Sequence, residues 1–384
     1  MNIAIYVQGY LPEDIYGIPR YIERLSQYLS ENGHKVWIIT KGNPRLKKTE
    51  KINDNLVVYR TFHLSFKKIN KLGFLTSFWN RFSYSIMSII EGVKLCRKNK
   101  IQILHGHHLL YGGMQAILTA KLIKLPSIVT VHGSGLDYYS GFNKIPLKLR
   151  FLQEKNIKII CQKLSAIKIL KKWNISNEKI KQFFSFVDTE KFHPKKKKIN
   201  KRYKYISFVG RLIEFKGPDL LIDAIPFIIR EYNNVKFLVI GEGYLLNYLK
   251  QRVTELGIQK YVKFLGLMKN IELIYSITDI SVSLSKYENS TDLALLEALS
   301  FGIPVVATNV GETEHIIKDN ITGLLTNCDP KDISEKILTL LNNPNFAKEI
   351  GVNGRAIIKK DYSLEKVGRL HETLYKSLIN KMKR

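Results

Sequence analysis

The sequence predicts an α/β protein of two domains, each with a mostly parallel sheet and helices on both of its faces. Three observations support this prediction. The chain has 384 residues, more than one ordinary domain holds. Short apolar runs typical of buried strands alternate with helical patterns along most of its length. A charged run without an apolar anchor, residues 195–202, separates two such series and is predicted to be the linker.

The first series, residues 1–194, is the predicted N-terminal domain. Its strands are predicted at 3–7, 36–40, 101–104 and 128–131, and its helices at 21–31 and 113–124. Ligands of such sheets bind beyond the carboxyl ends of the strands. The loops at those ends are predicted at 8–19, 105–112 and 132–139.

Residues 62–82 break the alternation, because they mix aromatic side chains with lysines and an arginine. The basic residues are Lys67, Lys68, Lys71 and Arg81. Two interpretations stay open: an amphipathic surface helix, or an ordinary helix whose aromatic residues are buried.

The second series, residues 203–362, is the predicted C-terminal domain. Its strands are predicted at 205–209, 235–240, 262–264, 280–284 and 305–307, with a loop at 210–217 and a helix at 218–231 that starts on proline. Residues 363–384 are predicted to form a C-terminal helix that packs back on the N-terminal domain.

Composition and charge limit the class of protein. Three isolated cysteines and no leader-like start predict a reducing, cytoplasmic location, and no apolar run is long enough to span a bilayer. Residues 1–200 hold 35 Lys and Arg against 12 Asp and Glu, a net charge of +23 out of the total of +28. This excess predicts an anionic partner for the first half, or reflects a lysine-rich composition in general.

A helix within residues 286–315 carries one isolated carboxylate. Ser290 or Thr291 is predicted to cap its start, and Gly302 is predicted at the left-handed position after its end. Glu297 lies on an otherwise apolar helix, so it must meet a partner or line a cleft. A structural ion pair is the alternative. With Glu288 ahead of the helix and free N–H groups at residues 290–293, this segment suits a sugar nucleotide.

Further candidates follow predicted strands. Arg211 and Lys216 lie between a strand and a helix start, which suits a diphosphate. Gly241 and Gly243 form either a phosphate loop or, more simply, a tight turn. His132 ends a strand, where it either contacts a ligand or bonds to the backbone. His105, His107 and His108 match no usual zinc spacing, and no Asp-x-Asp occurs, so chemistry without a metal or cofactor is expected.

Several short motifs, in this order and spacing, are specific together: Gly33-His34-Lys35-Val36, Thr130-Val131-His132-Gly133, Val187-Asp188-Thr189-Glu190-Lys191-Phe192, Val209-Gly210-Arg211-Leu212 with Lys216-Gly217, Val239-Ile240-Gly241-Glu242-Gly243, Phe264-Leu265-Gly266, and Leu296-Glu297-Ala298-Leu299 with Gly302-Ile303-Pro304-Val305-Val306-Ala307. They resemble glycosyltransferase family 4 over nearly the whole chain. The resemblance implies the GT-B fold, two Rossmann-like domains that face a central cleft.

The resemblance also implies roles in a retaining, metal-independent transfer of a hexose-type sugar. Arg211 and Lys216 would bind the diphosphate, Glu297 the ribose, and Glu288 with the backbone after it the transferred sugar, which His132 would contact near the breaking bond. The remaining substrate-binding residues would be Gly17, Gly210, Gly241, Gly243, Asn289, Ser290, Thr291, Asp292 and Leu293.

Three positions depart from the family pattern. Glu288 and Glu297 have eight residues between them where the family has seven, so either the loop bulges or Asn289 takes the first position. The first loop reads Tyr16-Gly17-Ile18-Pro19 where the family has paired glycines. Ser185-Phe186 replaces the usual Asn-Gly.

The predicted partners are a nucleotide-diphosphate sugar donor, a lipid-linked or glycan acceptor, and an anionic membrane surface, with the protein peripheral on the inner face of the cell membrane. Three other classes of protein fit the sequence less well. A basic nucleic-acid-binding protein would leave both domains unexplained. An NAD(P) oxidoreductase would need the complete glycine fingerprint. A sugar-nucleotide-binding protein without turnover would require that the altered glutamate spacing disables the site.

Overall fold

The chain folds into two compact α/β units. The computed structural model describes residues 1–13, 17–62, 73–132, 135–194, 202–287 and 292–383, with residues 73–78 and 383 described by their backbone. The first unit consists of Met1–Phe184 and Val367–Arg384, and the second of Ser185–Lys366.

The first unit is built on an eight-stranded sheet with the order β3-β4-β2-β1-β5-β6-β7-β8. All neighbours are parallel except β3, an edge strand antiparallel to β4. The strands are β1 Asn2–Tyr6, β2 Lys35–Lys41, β3 Thr49–Asn53, β4 Leu56–Thr61, β5 Ile103–His107, β6 Ser127–Val131, β7 Ile157–Cys161 and β8 Ile180–Gln182. Strands β1, β5 and β6 are buried on both faces, as expected for a parallel sheet covered by helices.

The helices of this unit are α1 Ile18–Glu31, α2 Gly73–Lys98, α3 Met114–Ile123, α4 Leu164–Lys172 and most of α12 Leu364–Lys383. Helix α1 illustrates the sequence features that form these helices. Pro19 lies in its first turn, where a missing N–H costs nothing, and Ile22, Leu25 and Leu29 recur on its buried face.

The second unit has a six-stranded, fully parallel sheet with the order β11-β10-β9-β12-β13-β14. Its strands are β9 Lys204–Val209, β10 Val235–Ile240, β11 Val262–Gly266, β12 Ile280–Ser283, β13 Val305–Thr308 and β14 Leu324–Thr326. Its helices are α5 Pro218–Glu231, α6 Leu246–Glu255, α7 Glu272–Tyr275, α8 Leu293–Ser300, α9 Thr313–Ile316, α10 Pro330–Asn342 and α11 Pro344–Asp361.

Helix α5 anchors the core of the second unit. Its Leu221, Ile225 and Ile228 are fully buried against the sheet. Each such side chain contributes about 1.5–3 kcal/mol relative to an exposed one. Because α5 starts directly after the loop that follows β9, this packing also holds that loop in place.

Two α/β units with mostly parallel sheets confirm the predicted fold class. The predicted helix at 218–231 and strand at 235–240 have the bounds that the structure gives them. Three predictions were wrong in part. The strands β3, β4, β7, β8 and β14 were not assigned. His105 was placed in a loop but lies within β5, and the cap of α8 is Asp292 rather than Ser290 or Thr291.

The boundary between the units lies earlier than residue 194. Residues 185–194 pack with the second unit, where Val187 bridges to Ser363 and the carbonyl of Phe192 accepts a hydrogen bond from Ser300. The charged run after them marks a break in the hydrophobic pattern, but charge alone does not show which core a neighbouring segment joins. Residues 195–201 lie outside the described residues.

Candidate functional site

The strand order of the second unit predicts where a ligand binds. From β9 the chain continues to β10 on one side, and from β12 it continues to β13 on the other side. Ligands of open parallel sheets bind at such a switch point, beyond the carboxyl ends of the strands. The loops there are residues 210–217 after β9 and the segment after β12 that leads to Asp292.

An ion pair joins these two loops. Nζ of Lys216 lies 2.8 Å from Oδ2 of Asp292, and the two side chains are 16% and 19% exposed. The other oxygen of Asp292 accepts a hydrogen bond from the N–H of Ala294 and so caps α8. Both residues were predicted to bind the substrate, but their pairing with each other was not predicted from the sequence.

A second ion pair supports the same loops. Nζ of Lys286 contacts Asp219 in the first turn of α5, and the N–H of Lys286 donates to the carbonyl of Phe215 at 3.0 Å. The predictions on Glu288, Asn289, Ser290 and Thr291 lie outside the described residues. Lys286 and Asp219 were not predicted, although Asp219 follows the predicted diphosphate loop and Lys286 lies two positions before Glu288 in sequence.

Three glycines let these loops pack closely. Gly217 has φ +63°, and a Cβ there would lie 2.0 Å from the carbonyl oxygen of Leu284. A Cβ on Gly241 would lie 1.9 Å from the oxygen of Gly210, and one on Gly243 would lie 2.2 Å from the oxygen of Leu212. Gly241 and Gly243 therefore hold the loop after β10 against the loop after β9, in agreement with the tight-turn interpretation.

Arg211 and Glu297 complete the predicted residues of this unit. Arg211 is exposed in the loop after β9. Glu297 is only 8% exposed, and its Oε2 accepts a hydrogen bond from Tyr275 at 3.3 Å. A buried carboxylate needs such a donor. Leu293 is the first residue of α8, next to the Asp292 cap.

In the first unit, both ring nitrogens of His132 are engaged. Nδ1 lies 2.9 Å from Oε1 of Gln162, and Nε2 lies 2.8 Å from Nδ1 of His107. Burial lowers the pKa of His132 to about 3, so the ring is neutral. Since the carbonyl of Gln162 accepts from Nδ1–H, Nε2 is the acceptor for the N–H of His107.

More buried histidines surround this pair. His105 bonds to Tyr375 and to Thr130, both at 2.7 Å, and Nδ1 of His371 bonds to the carbonyl of Val367. Burial lowers the pKa of His105 and His107 well below the ordinary value and that of His371 to about 4. Neither Gln162 nor His371 was predicted from the sequence to belong to a site. Gln162 follows β7, and recognition of that strand would have drawn attention to it.

Gly17, the predicted contact in the first loop, precedes α1. It has φ +42°, which favours glycine, and its carbonyl accepts the N–H of Tyr21 at 3.0 Å. No group of three or more His, Cys, Asp or Glu side chains among the described residues could hold a metal ion. None of the described helices is long and apolar enough to cross a membrane.

Two family models match adjoining parts of the chain. Residues 15–191 match a model described as Glycosyltransferase Family 4, and residues 189–357 match one described as Glycosyl transferases group 1. The two matches together extend over both units and agree with the motifs on which the resemblance rests.

Two curated relatives are similar over most of the chain. The alpha-monoglucosyldiacylglycerol synthase of Acholeplasma laidlawii is 26% identical over 407 residues, which cover 99% of this chain and 98% of the relative. The UDP-Gal:alpha-D-GlcNAc-diphosphoundecaprenol alpha-1,3-galactosyltransferase of Escherichia coli is 29% identical over 302 residues, which cover 71% of this chain and 76% of that one.

Solved structures give the fold. Anabaena HepE in complex with UDP-glucose superposes with a TM-score of 0.73 at 16% identity, over 97% of this chain and 99% of that one. At this identity the likeness concerns the fold alone. It confirms the predicted GT-B fold.

Proposed function

The chain belongs to glycosyltransferase family 4, and from that membership we propose that it is a retaining, metal-independent hexosyltransferase. It moves a hexose from a nucleotide-diphosphate sugar to an acceptor hydroxyl. The observation that carries this proposal is the pair of cations, Arg211 and Lys216, at the switch point of the second sheet. The start of α8 lies beside them, because its cap Asp292 pairs with Lys216.

The charge that develops in the reaction explains the need for these cations. When the sugar leaves, negative charge accumulates on the nucleoside diphosphate. Arg211 and Lys216 stabilise that charge more in the transition state than in the ground state. The departing phosphate oxygen accepts the proton of the acceptor hydroxyl, so no side chain has to act as the base.

The other predicted residues hold the donor. Glu297 binds the ribose hydroxyls, while Glu288, with Asn289 as the alternative, and the N–H groups after it bind the sugar. Gly210, Gly241, Gly243 and Leu293 shape the loops around the nucleotide. His132 contacts the sugar near the breaking bond as a neutral ring, because burial keeps its pKa at about 3. Gly17 lies on the acceptor side.

The acceptor is lipid-linked or a glycan, and the transfer serves the synthesis of a lipid-linked glycan, a glycolipid or a surface polysaccharide. Support comes from the relatives, since one is named for a diacylglycerol product and the other for a diphosphoundecaprenol acceptor. A fold neighbour bound to UDP-glucose supports a nucleotide-sugar donor. The charge of +23 in residues 1–200 supports attachment to an anionic membrane, and the proposed location is the inner face of the cell membrane.

Helix α2 offers the surface for that attachment. Trp79, Phe82, Ile86 and Ile90 are 51%, 47%, 40% and 44% exposed, and their spacing places them on one side of the helix. Exposed basic residues accompany this apolar stripe: Arg81, Lys94, Arg97 and Lys98. Apolar residues can enter the headgroup region while the cations pair with lipid phosphates. Lys67, Lys68 and Lys71, the lysines of the predicted surface segment 62–82, lie outside the described residues.

A ligand screen followed by a turnover assay tests the proposed activity. The full chain is heated with UDP-, GDP- or ADP-sugars. A donor at a hundred times its dissociation constant should stabilise the protein by about 2.7 kcal/mol. The stabilising donor is then supplied in labelled form with membrane lipids. Transfer of label into lipid supports the proposal, stabilisation without transfer or hydrolysis supports a binding protein, and no stabilisation by any sugar nucleotide contradicts both.

A further inference from the structure

The surroundings of His132 contain a second histidine that no motif of the family resemblance includes. His107 lies in β5 and His132 directly follows β6, its parallel neighbour. The imidazole rings stack with centroids 5.1 Å apart and an interplanar angle of 28°. Both are buried, His107 completely and His132 with 8% of its surface exposed.

Packing alone does not explain a histidine at position 107. Its Nδ1 bonds to His132, but its Nε2 is buried and has no hydrogen-bond partner in the part of the chain that the structure describes. A buried polar atom without a partner destabilises the fold. An apolar side chain would fill this strand position without that cost, so the bond to His132 is the feature that only a polar residue supplies.

His107 holds the second ring nitrogen of His132, Nε2, by a hydrogen bond. Gln162 fixes Nδ1 of His132, and the ring of Tyr21 meets it edge-on at 5.1 Å. Without His107, the ring could turn about its bond to Gln162 or exchange its tautomer, since Nε2 would lose its donor.

We propose that His107 is a positioning residue, which fixes the orientation and tautomer of His132 through the bond between Nδ1 of His107 and Nε2 of His132. This inference rests on the proposed function, because it assumes that the ring of His132 contacts the sugar. His107 itself touches neither substrate nor leaving group. Its loss should lower kcat and leave the affinity for the donor unchanged.

Three variants separate this role from general damage. H107L removes the bond. H107N keeps an amide close to the position of Nδ1 that can donate to His132. Y375F is the matched control, because it deletes a buried hydrogen bond of the same cluster, from Tyr375 to His105, and leaves the bond between His107 and His132 intact. Melting temperatures are recorded for all three.

Two measurements test whether His107 positions the ring of His132. Long-range proton–nitrogen spectra of histidine-labelled protein report the tautomer of His132 without any substrate. Release of UDP from UDP-glucose gives kcat and KM. We expect H107L to lose the single tautomer and at least tenfold in kcat, with KM within twofold of wild type. H107N should restore most of kcat, and Y375F should keep it.

Each failure has a distinct meaning. An unchanged tautomer and unchanged kcat in H107L overturn the inference, and so does an equal loss of kcat in H107L and Y375F. If H132A retains full kcat, the proposed contact of His132 with the sugar is wrong, and the inference falls with it. If wild type releases no UDP from UDP-glucose, that donor is wrong, and the tautomer of H107L still decides the role of His107.

Discussion

Lys216 and Arg211 are the residues whose charge the proposed chemistry requires. Changing either one to alanine should lower kcat/KM by at least tenfold, about 1.4 kcal/mol of transition-state stabilisation. Arg252 provides the control, since it pairs with Asp223 on the surface of the second unit, and R252A should leave the kinetics unchanged. If R211A and K216A both keep wild-type kinetics, Arg211 and Lys216 do not stabilise the leaving diphosphate.

Asp292 pairs with Lys216, so under the proposed function a diphosphate competes with this carboxylate for the cation. D292N keeps a side chain that caps α8 but removes the charge. We expect UDP to bind about fivefold more tightly, about 1 kcal/mol, as measured by titration calorimetry. D329N is the matched control, because Asp329 caps α10 in the same way, by accepting from the N–H of Asp332. Weaker binding in D292N would indicate instead that the carboxylate contacts the nucleotide.

The buried carboxylate of Glu297 either binds the nucleotide or stabilises the fold, and substitution distinguishes these two roles. Its bond from Tyr275 survives in E297Q, since the amide oxygen still accepts. Hydrogen bonds to a charged group contribute about 1.5–3 kcal/mol, so E297Q should weaken UDP binding at least tenfold and change the melting temperature little. Y275F, which removes the donor, should cost stability. A large drop in melting temperature of E297Q with normal UDP affinity would mark Glu297 as structural.

At the scale of the element, helix α2 is expected to hold the protein on lipid. Phe82 and Ile86 are about half exposed, so changing both to serine removes about 2 kcal/mol of insertion energy and should lower the partition onto phosphatidylglycerol vesicles about 30-fold. Co-sedimentation at low and high salt measures this partition.

The control for that experiment comes from the same unit. Leu122 and Leu147 are 62% and 76% exposed but do not lie on α2, and their double serine variant should partition like wild type. Neutral phosphatidylcholine vesicles and high salt should both weaken wild-type binding, because the basic residues contribute electrostatically. If vesicle binding depends neither on lipid charge and salt nor on Phe82 and Ile86, helix α2 is not the membrane-binding surface.

At the scale of the whole molecule, the buried histidines make stability depend on pH. The pKa of His371 is lowered to about 4 in the folded state, so the unfolded chain binds its proton first. Stability is therefore complete above about pH 6.5 and falls as the pH drops toward 4. At pH 5, His371 alone should cost about 2 kcal/mol. His105, His107 and His132 shift in the same direction.

Melting curves between pH 7 and pH 5 check this dependence, in a range above that in which most carboxylates titrate. H371Q should flatten the fall in melting temperature, whatever its effect at pH 7. An equally steep fall in H371Q would mean that other groups control the acid response.

The sequence determined what depends on local pattern. Apolar periodicity and Pro218 were enough to give the bounds of α5, and the strand that became β9 placed Arg211 and Lys216 at a carboxyl end. Short strands such as β8 and β14 were missed because three residues carry too little periodicity. The αL glycine after α8 was predicted correctly, but its cap was not, since four neighbouring polar residues could each have served.

The tertiary structure alone decided which side chains meet. The local pattern of apolar residues determines which residues are buried. Which residues they contact depends on the register between parallel strands and on which distant segments of the chain pack together. His107 meets His132 because β5 and β6 are neighbours in the sheet. Tyr375 reaches His105 across 270 positions of sequence, because the end of the chain rejoins the first unit. Lys216 pairs with Asp292 for the same kind of reason: β9 and β12 lie side by side although β10 and β11 separate them in sequence.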